Sequence, residues 1–559
     1  MREIPVRLWL LAALAGILQV LPFPIDAPVP VWRTAFCWIA LLPLLYALTH
    51  RFSTGVALRP LQGAALGYLC GFVWYLGNCS WIYQTMYLYG GLSRPVAAGI
   101  LVLFCLYLGL YHALFGAVLS SVNRLRWGRQ GALLISPFLW VAVELARARI
   151  TGLPWDLLGT TQVDNTLLSR LAPYTGVYGL SFVIAAVNAL WLIRVEVRER
   201  RHTRTVLTLA GVVLVVCYLF ALRRLQLPRV DETTATATLV QENLEVGAAN
   251  IGPQPTMQEL LRSFSFLSEY PSASFYGGIP ELRGTPFYDV RRMVRGGTGF
   301  VPAPAKQVST DLIVWPEAPA PFEESNPEFR QAMGALARMS NAPVIVGNIG
   351  LDRDEKESRG YDMFNSASFV APDGSFKGRY DKIHLVPFGE YVPFHQLLFF
   401  AKNLLNEVGT FDAGSERRVF ATGGHRFGTF ICYESIFGDE VRQFADEGAD
   451  VLVNISNDGW YGDTSAPWQH LNMVRMRAIE NHRWVLRATN TGITAAIDPF
   501  GRVTAAAPRH IRTSLAVRFA YEEDLTLYAK YGDWFAYLCA AVAVVGLGYS
   551  LREPVSRMS

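Results

Sequence analysis

The sequence is poor in charged residues. Only 17% of its 559 residues are Asp, Glu, Lys or Arg, while 51% are hydrophobic and the mean hydropathy is +0.23. Soluble domains contain about 25% charged residues. This shortage excludes a disordered chain, a polar repeat and a collagen-like protein. The net charge of +4 is small for the length, so a nucleic-acid partner is not indicated.

Eight stretches of the chain have almost no charge. A helix that crosses a bilayer needs about 20 mainly apolar residues. Backbone groups in lipid must be paired within the segment, so we expect helices rather than strands. The expected spans are residues 8–25, 34–49, 60–93, 95–123, 130–143, 171–193, 205–222 and 534–551. An ordinary soluble enzyme is therefore excluded.

Arginine is concentrated in alternate loops, which predicts the orientation because basic loops face the cytoplasm. With eight spans, the basic clusters at the two termini and after spans two, four and six lie on one side. Arg223, Arg224 and Arg229 oppose this assignment but are outnumbered. No small-residue cleavage site follows the first span, so we expect a retained helix rather than a signal peptide. The prediction is a transmembrane domain of residues 1–227, an extracytoplasmic domain of residues 228–528, and a C-terminal helix with a cytoplasmic tail, residues 529–559.

The expected outer domain has ordinary globular composition, with short β-branched runs that alternate with helical patterns. Such alternation indicates an α/β domain. Candidate strands are residues 235–241, 311–315, 343–348, 365–370, 428–432, 451–456, 484–490 and 493–498, and candidate helices are residues 327–339, 436–447 and 467–482. Residues 243–310 show little periodicity, and a loop of that length is usually functional or disordered.

Cysteine is nearly absent from the outer domain, where Cys432 is the only one of the chain's seven. A lone cysteine in an oxidising compartment is either a buried inert residue or a reactive thiol. Cys432 ends a candidate strand just before a candidate helix, and a helix N-terminus favours the thiolate. The domain's histidines show neither a Cys-His-Asn pattern nor metal-ligand spacing, so we expect a base other than histidine and no metal or cofactor.

Two further strand ends supply partners for a nucleophile. Glu317 follows Trp315-Pro316, and Lys382 precedes the segment Ile383-His384-Leu385-Val386-Pro387-Phe388-Gly389-Glu390. Taken singly, Glu317 fits a surface carboxylate and Lys382 fits a solvated lysine. Their occurrence together with a lone strand-end cysteine favours catalysis.

A Glu, a Lys and a Cys in this order resemble the nitrilase, or carbon–nitrogen hydrolase, superfamily. The resemblance rests on Trp315-Pro316-Glu317, on the segment from Lys382 to Glu390 and on Cys432-Tyr433-Glu434. It implies an αββα sandwich in which Glu317 is the general base, Lys382 stabilises the oxyanion and Cys432 is the nucleophile. It also implies a supporting role for Glu390. Three residues near the reaction centre would bind substrate: Tyr433, Glu434 and Trp460.

The spans and further motifs narrow the resemblance to the apolipoprotein N-acyltransferase family of bacteria. The motifs are Ser456-Asn457-Asp458-Gly459-Trp460-Tyr461-Gly462, Pro467-Trp468-Gln469-His470, Arg475-Met476-Arg477-Ala478-Ile479-Glu480 and Thr489-Asn490-Thr491-Gly492. The resemblance implies an enzyme of the bacterial inner membrane, and a self-contained site favours a monomer. It would move the sn-1 acyl chain of a phospholipid, typically phosphatidylethanolamine, through a Cys432 thioester to the α-amine of a diacylglyceryl-cysteine on a lipoprotein.

The sequence alone leaves alternative functions open. A membrane-tethered amidase or nitrilase that hydrolyses a C–N bond would share the three residues but would need only one anchor. A scaffold or transporter with an inactive outer domain would not need Glu317, Lys382 and Cys432. Residues 394–408 are either a lid that dips into the membrane surface or a buried amphipathic helix. Gln241-Glu242-Asn243 departs from the family's usual Gln-Gly-Asn, and no tryptophan lies between Trp191 and Trp315.

Overall fold

The computed structural model describes residues 3–25, 28–125, 127–196, 233–246, 255–273, 309–317, 322–353, 360–387, 389–391 and 411–552. Two sequence predictions lie outside these residues, namely the span at residues 205–222 and the segment of residues 394–408.

The N-terminal part is helical, as its uncharged stretches predict. Its α-helices are Val6–Val20, Val31–Thr34, Cys37–Ala40, Leu42–Leu48, Pro60–Asn78, Trp81–Gln84, Arg94–Arg124, Gly128–Ala146, Ala172–Thr175 and Val177–Glu196, and Trp534–Arg552 lies near the C-terminus. Short π or 3-10 turns are Thr85–Tyr89, Arg147–Thr151, Leu158–Gln162 and Ser169–Leu171.

Within the described part of the chain, three helices are long and apolar enough to cross a membrane: Arg94–Arg124, Gly128–Thr151 and Val177–Arg194. Three shorter apolar helices are Val6–Val20, Trp32–Leu48 and Trp534–Tyr549. The uncharged stretch that begins at Pro60 is broken, because its helix ends at Asn78 and short turns follow.

Small residues allow two of these helices to pack closely. Gly63, Gly67 and Gly71 lie along the helix Pro60–Asn78, and a Cβ atom on Gly67 would overlap the backbone of His112 in the helix Arg94–Arg124. Glycines at a helix–helix contact let the two backbones approach, which is a common packing mode in membranes.

The remaining part folds around two β-sheets. Its strands are β1 (Ala235–Gln241), β2 (Ser272–Ala273), β3 (Leu312–Val314), β4 (Val344–Arg353), β5 (Tyr361–Val370), β6 (Phe376–Asp381), β7 (Val419–Thr422), β8 (His425–Ile431), β9 (Val451–Ser456), β10 (Val485–Thr489), β11 (Ala495–Ile497), β12 (Val503–Ala506) and β13 (Thr513–Phe519). One sheet has the order β2-β13-β1-β3-β4-β5-β6, and the other has the order β12-β11-β10-β9-β8-β7. The central pairs β1/β3, β3/β4, β8/β9 and β9/β10 are parallel.

The sheets pack face to face and helices cover their outer faces. Phe369 of β5 stacks on Phe420 and lies 5.8 Å from Phe427 of β8, between ring centroids. The helices Met257–Glu269 and Pro327–Ser340 cover the outer face of the first sheet with residues such as Phe264 and Phe329. The helices Gly438–Asp446 and Ala466–Asn481 pack on the second sheet. The predicted αββα sandwich is therefore present.

Most predicted elements occur near their expected bounds, and the short half-buried strands were not anticipated. β6 and β7 are only six and four residues long, are partly exposed, and each forms an edge of its sheet. The helix Met257–Glu269 lies inside the stretch of residues 243–310, where little periodicity was expected. Its capping box, in which Thr256 and Glu259 bond each other's backbone groups, was the overlooked sequence signal.

Candidate active site

Glu317, Lys382 and Cys432 each follow the end of a strand, after β3, β6 and β8 respectively. All three are buried, with exposed fractions of 6%, 1% and 6%. A surface carboxylate and a solvated lysine are therefore ruled out for Glu317 and Lys382. Buried charges of this kind persist in proteins only when they are paired.

The ammonium group of Lys382 is held between two carboxylates. Its Nζ donates to Glu317 Oε1 and to Glu390 Oε1, each at 3.0 Å. Burial alone would lower the pKa of Lys382, but the two carboxylates outweigh burial and raise this pKa well above its ordinary value. Lys382 is therefore a permanent cation, as an oxyanion stabiliser requires.

An asparagine that the sequence did not single out joins the same two carboxylates. Asn365 of β5 donates from Nδ2 to Glu317 Oε1 at 2.8 Å and to Glu390 Oε1 at 2.6 Å. The remaining oxygens accept from backbone groups, since Glu317 Oε2 accepts from the N–H of Asn457 and Glu390 Oε2 from that of Val386, both at 2.8 Å. Each carboxylate is thus fixed in orientation.

The thiol of Cys432 lies in the electrostatic field of this cluster. Burial, followed by the charge of Glu317, raises the pKa of Cys432 well above its ordinary value, and Lys382 offsets only part of that rise. Burial and the charge of Glu317 therefore oppose the thiolate that the following helical turn was expected to favour. The raised pKa favours the neutral thiol of Cys432, so formation of a thiolate would require a base.

Cys432 also has an unusual backbone conformation. Its φ is +49°, in the left-handed region, and it begins the 3-10 turn Cys432–Ile436 directly after β8. A non-glycine residue in that region costs about 1–3 kcal/mol and persists only when its surroundings impose it. The strand-to-turn junction is the feature that the sequence predicted, whereas the backbone strain has no sequence signal.

Glu434 connects the cysteine turn to the lysine loop. Its Oε1 accepts from the hydroxyl of Tyr380 and the N–H of Ile383, both at 2.7 Å, and its Oε2 accepts from the N–H of Ile431 at 2.7 Å. The carboxylate is therefore fully engaged with protein donors. A substrate-binding role for Glu434 stays a prediction, while the geometry gives it a positioning role.

The other two predicted substrate-binding residues lie on the side of the turn near the N-terminal helices. Tyr433 donates from its hydroxyl to the carbonyl of Gly152 at 3.1 Å. Trp460 is half-buried in the 3-10 turn Asp458–Tyr461.

Glu242 places a charge where the family usually has a small residue. The structure accommodates this charge, because the carboxylate of Glu242 accepts from Arg512 Nε at 2.9 Å.

The two parts of the chain meet beside the cysteine turn. Arg149 is 2.8 Å from carboxylate oxygens of both Asp439 and Asp533. The side chain of Glu480 accepts from the N–H of Val177 at 2.9 Å. Polar contacts, including the one from Tyr433 to Gly152, therefore join the region of the Cys432–Ile436 turn to the N-terminal helices.

One group of possible metal ligands exists within the described residues, and it is separate from this cluster. Ligand atoms of His482, Glu522 and Asp524 lie within 4.8 Å of one another. Asp524 is already engaged, because His482 Nδ1 lies 2.8 Å from its Oδ2 and Arg483 Nη1 lies 3.6 Å from its Oδ1. Exposed acidic groups of this kind are common without an ion.

The fold and the site define the class of protein. The carbon–nitrogen hydrolase family matches residues 255–519, which include all the side chains of the buried cluster. Among solved structures, an amidase from Nesterenkonia sp. is 15% identical, with a TM-score of 0.33 over 53% of this chain and 93% of that chain. The match to the family model defines residues 255–519 as a carbon–nitrogen hydrolase domain.

The N-terminal helices identify the family within that class. The apolipoprotein N-acyltransferase N-terminal domain matches residues 15–190. An apolipoprotein N-acyltransferase from Geobacter metallireducens is 35% identical over 98% of this chain and 96% of its own length. The enzymes of the same name from Methylococcus capsulatus and Haemophilus influenzae are 34% and 30% identical, over 92% and 94% of this chain and 94% and 91% of their own lengths. The chain belongs to the apolipoprotein N-acyltransferase family.

Proposed function

We propose that this chain is a membrane enzyme that transfers an acyl chain from a phospholipid to the N-terminal α-amine of a diacylated lipoprotein. The observation that carries the proposal is the buried cluster of Glu317, Lys382 and Glu390 beside Cys432. Full-length similarity to enzymes named apolipoprotein N-acyltransferase supports the choice of acceptor.

In the first half-reaction, Glu317 takes the proton of the Cys432 thiol as sulfur attacks the carbonyl carbon of the sn-1 ester. The C–S bond forms, and Lys382 stabilises the negative charge on the carbonyl oxygen. When the C–O bond breaks, the proton passes from Glu317 to the leaving alkoxide. Lysophospholipid departs, and a thioester remains on Cys432. No metal or organic cofactor takes part.

In the second half-reaction, the α-amine of the diacylglyceryl-cysteine attacks the thioester. Glu317 takes the amine proton, the C–N bond forms, and the C–S bond breaks. The proton returns to the departing sulfur of Cys432. This two-step, ping-pong course requires that water be kept from the thioester between the two substrates, and the low exposure of Cys432 supports that requirement.

Supporting roles follow from the contacts of the remaining residues. Glu390 and Asn365 orient Lys382 and Glu317, while Tyr433 and Trp460, on the side of the helical part, contact the lipid substrates. Glu434 supports substrate binding indirectly, by fixing the conformation of the cysteine turn. A complete set of catalytic groups in one chain supports a monomeric enzyme.

The membrane arrangement belongs to the same proposal. Eight helices cross the inner membrane of a bacterium, with both termini in the cytoplasm and the carbon–nitrogen hydrolase domain in the periplasm. The boundaries are those of residues 1–227, 228–528 and 529–559. The apolar helices and the basic clusters between them support this topology. Since donor and acceptor are both lipids, the helices hold the site at the bilayer surface.

The test is acylation of the purified protein. Incubation with a phospholipid labelled in its sn-1 chain should give one acyl adduct by intact mass, and hydroxylamine should remove it because it is a thioester. The adduct should be absent in Cys432→Ser. It should persist in Cys539→Ser, which replaces a buried cysteine of the C-terminal helix. Equal labelling of Cys432→Ser would refute the proposal.

The same preparation distinguishes a transferase from a hydrolase. The proposal predicts that the acyl-enzyme survives in buffer and disappears when a diacylated lipopeptide is added. An acyl-enzyme that reacts with water as fast as with the lipopeptide would instead support a membrane-tethered amidase or esterase.

A further inference from the structure

The backbone of Cys432 is held by a histidine that the proposed mechanism does not use. His470 Nε2 lies 3.1 Å from the carbonyl oxygen of Cys432 and 2.6 Å from Oγ of Ser435. It therefore bridges the first and fourth residues of the 3-10 turn that carries the nucleophile. A carbonyl oxygen only accepts hydrogen bonds, so this contact requires the ring N–H of His470 as the donor.

A fully buried ion pair orients the other side of the ring. His470 Nδ1 lies 2.9 Å from Asp458 Oδ1, and Arg487 Nη2 donates to Asp458 Oδ2 at 2.6 Å. All three residues have no exposed surface. Burial opposes ionisation of Asp458, but Arg487 and His470 outweigh it and hold the pKa of Asp458 below its usual range. The contact with Asp458 and the contact with the Cys432 carbonyl together require an N–H on both ring nitrogens, and Asp458 is the charged acceptor that fixes the ring.

The N-terminal part of the chain contacts the same histidine. The ring of Trp155 is stacked on His470, with centroids 6.0 Å apart and an interplanar angle of 19°. Trp155 also donates from Nε1 to Oε1 of Gln469, the residue before His470, at 2.9 Å. Gln469 in turn donates to the carbonyl of Asn78 at 2.9 Å.

We propose that His470 is a positioning residue for acyl transfer, which holds Cys432 in its left-handed conformation and is itself held by Asp458 and by Trp155 of the helical part. The inference rests on the proposed function. It gives the helical part a second task besides anchoring, because the orientation of the nucleophile then depends on a side chain of that part. A purely structural network would stabilise the fold without affecting the reaction of folded molecules.

The test compares four variants of the full chain. His470→Phe keeps a ring but removes both nitrogens, and His470→Gln keeps one amide donor for the Cys432 carbonyl. Trp155→Phe keeps a ring over His470 but loses the donor to Gln469. Asn481→Ala is the control, because Asn481 is buried on the same helix and donates to the carbonyl of Arg477, remote from the turn.

Two measurements are made on each variant. Single-turnover acylation of Cys432 by labelled phospholipid at several concentrations separates the maximal rate from the half-saturating concentration. Hydrogen exchange of the amides in residues 433–436 reports on the turn without any substrate.

We expect His470→Phe to lower the maximal rate about 100-fold, since misplacement by about 1 Å has effects of that size. Its half-saturating concentration should stay within about twofold, and its turn amides should exchange faster. His470→Gln should regain about tenfold of the rate, and Trp155→Phe should lose about tenfold. Asn481→Ala should acylate within about twofold of wild type even if it melts earlier.

Wild-type acylation rates in His470→Phe would overturn the proposal, and so would a loss no larger than that of Asn481→Ala. Unchanged rates in Trp155→Phe would overturn the dependence on the helical part. A wild-type protein that forms no acyl adduct would instead refute the acyltransferase function. Unchanged exchange of the turn amides in His470→Phe would then still overturn the positioning role.

Discussion

The opposite charges of Glu317 and Lys382 should shift the titration of Cys432 in opposite directions. Glu317 raises the pKa of the thiol and Lys382 lowers it. Glu317→Gln removes a negative charge, so the thiolate becomes easier to form and the pKa falls. Lys382→Met removes a positive charge, so the pKa rises further. Neither variant changes the burial of the thiol, which is the largest cause of its raised pKa.

The size of each shift can be bounded from electrostatics. One pKa unit corresponds to about 1.4 kcal/mol. At an effective dielectric constant of about 20, two unit charges interact this weakly only when they are roughly 12 Å apart. Because all three side chains line one buried site, we expect each shift to be at least about one unit. At a fixed pH below the midpoint, the thiolate fraction then changes at least about tenfold.

The assay is alkylation of Cys432 by iodoacetamide across a pH series, followed by mass spectrometry of the peptide that contains it. The midpoint should move to lower pH in Glu317→Gln and to higher pH in Lys382→Met. Lys377→Met is the matched control, since Lys377 is a half-exposed lysine on β6, the strand that precedes Lys382, and pairs with Asp373. Shifts in the same direction, or a shift in the control alone, would refute the electrostatic account of the site.

Three further predictions concern the surroundings of the site. Glu390→Gln should slow acylation about 10- to 100-fold in single-turnover experiments. In one orientation the new amide nitrogen faces the ammonium group of Lys382, and in the other it faces the N–H of Val386, so one donor loses its acceptor in either case. An unchanged rate would contradict the hydrogen-bond assignment. Glu434→Gln should lower the free energy of unfolding by about 1–3 kcal/mol in denaturant titrations. If the amide oxygen stays with Tyr380 and Ile383, the amide nitrogen faces the N–H of Ile431, and that buried donor loses its acceptor. An unchanged midpoint would argue against these contacts of Glu434. Arg149→Met should lower the free energy of unfolding by about 3 kcal/mol, because it leaves the buried carboxylate of Asp533 without its cation. Acylation by the folded protein should change less than twofold, and a tenfold loss would give Arg149 a role in the reaction.

The sequence was most informative for buried strands, where the pattern of apolar residues alone predicts the element. β1 and β9 occur at the predicted residues, because both are short, almost entirely buried segments in which β-branched residues recur. The strand ends at Glu317 and Cys432 were predictable for the same reason. The order Glu, Lys and Cys along the chain then identified which polar residues would meet.

The remaining features depend on tertiary contacts. Asn365 lies within β5, and an asparagine in a strand gives no sign that its amide will join two carboxylates. His470 was set aside because it forms no recognisable pair with Cys432, and it acts on a backbone carbonyl rather than on the thiol. Burial by the rest of the chain raises the pKa of the Cys432 thiol, and burial of this kind is a tertiary property that the strand-to-turn pattern does not contain.

The most direct test of the central claim follows one acyl chain from donor to acceptor. Acyl-enzyme made from phospholipid labelled in the sn-1 chain is separated from free lipid and mixed with a diacylated lipopeptide. The account predicts that the label leaves Cys432 and appears on the lipopeptide α-amine in a hydroxylamine-resistant amide, at a rate that exceeds hydrolysis. Release of the label only as free fatty acid, or transfer by Cys432→Ser, would contradict it.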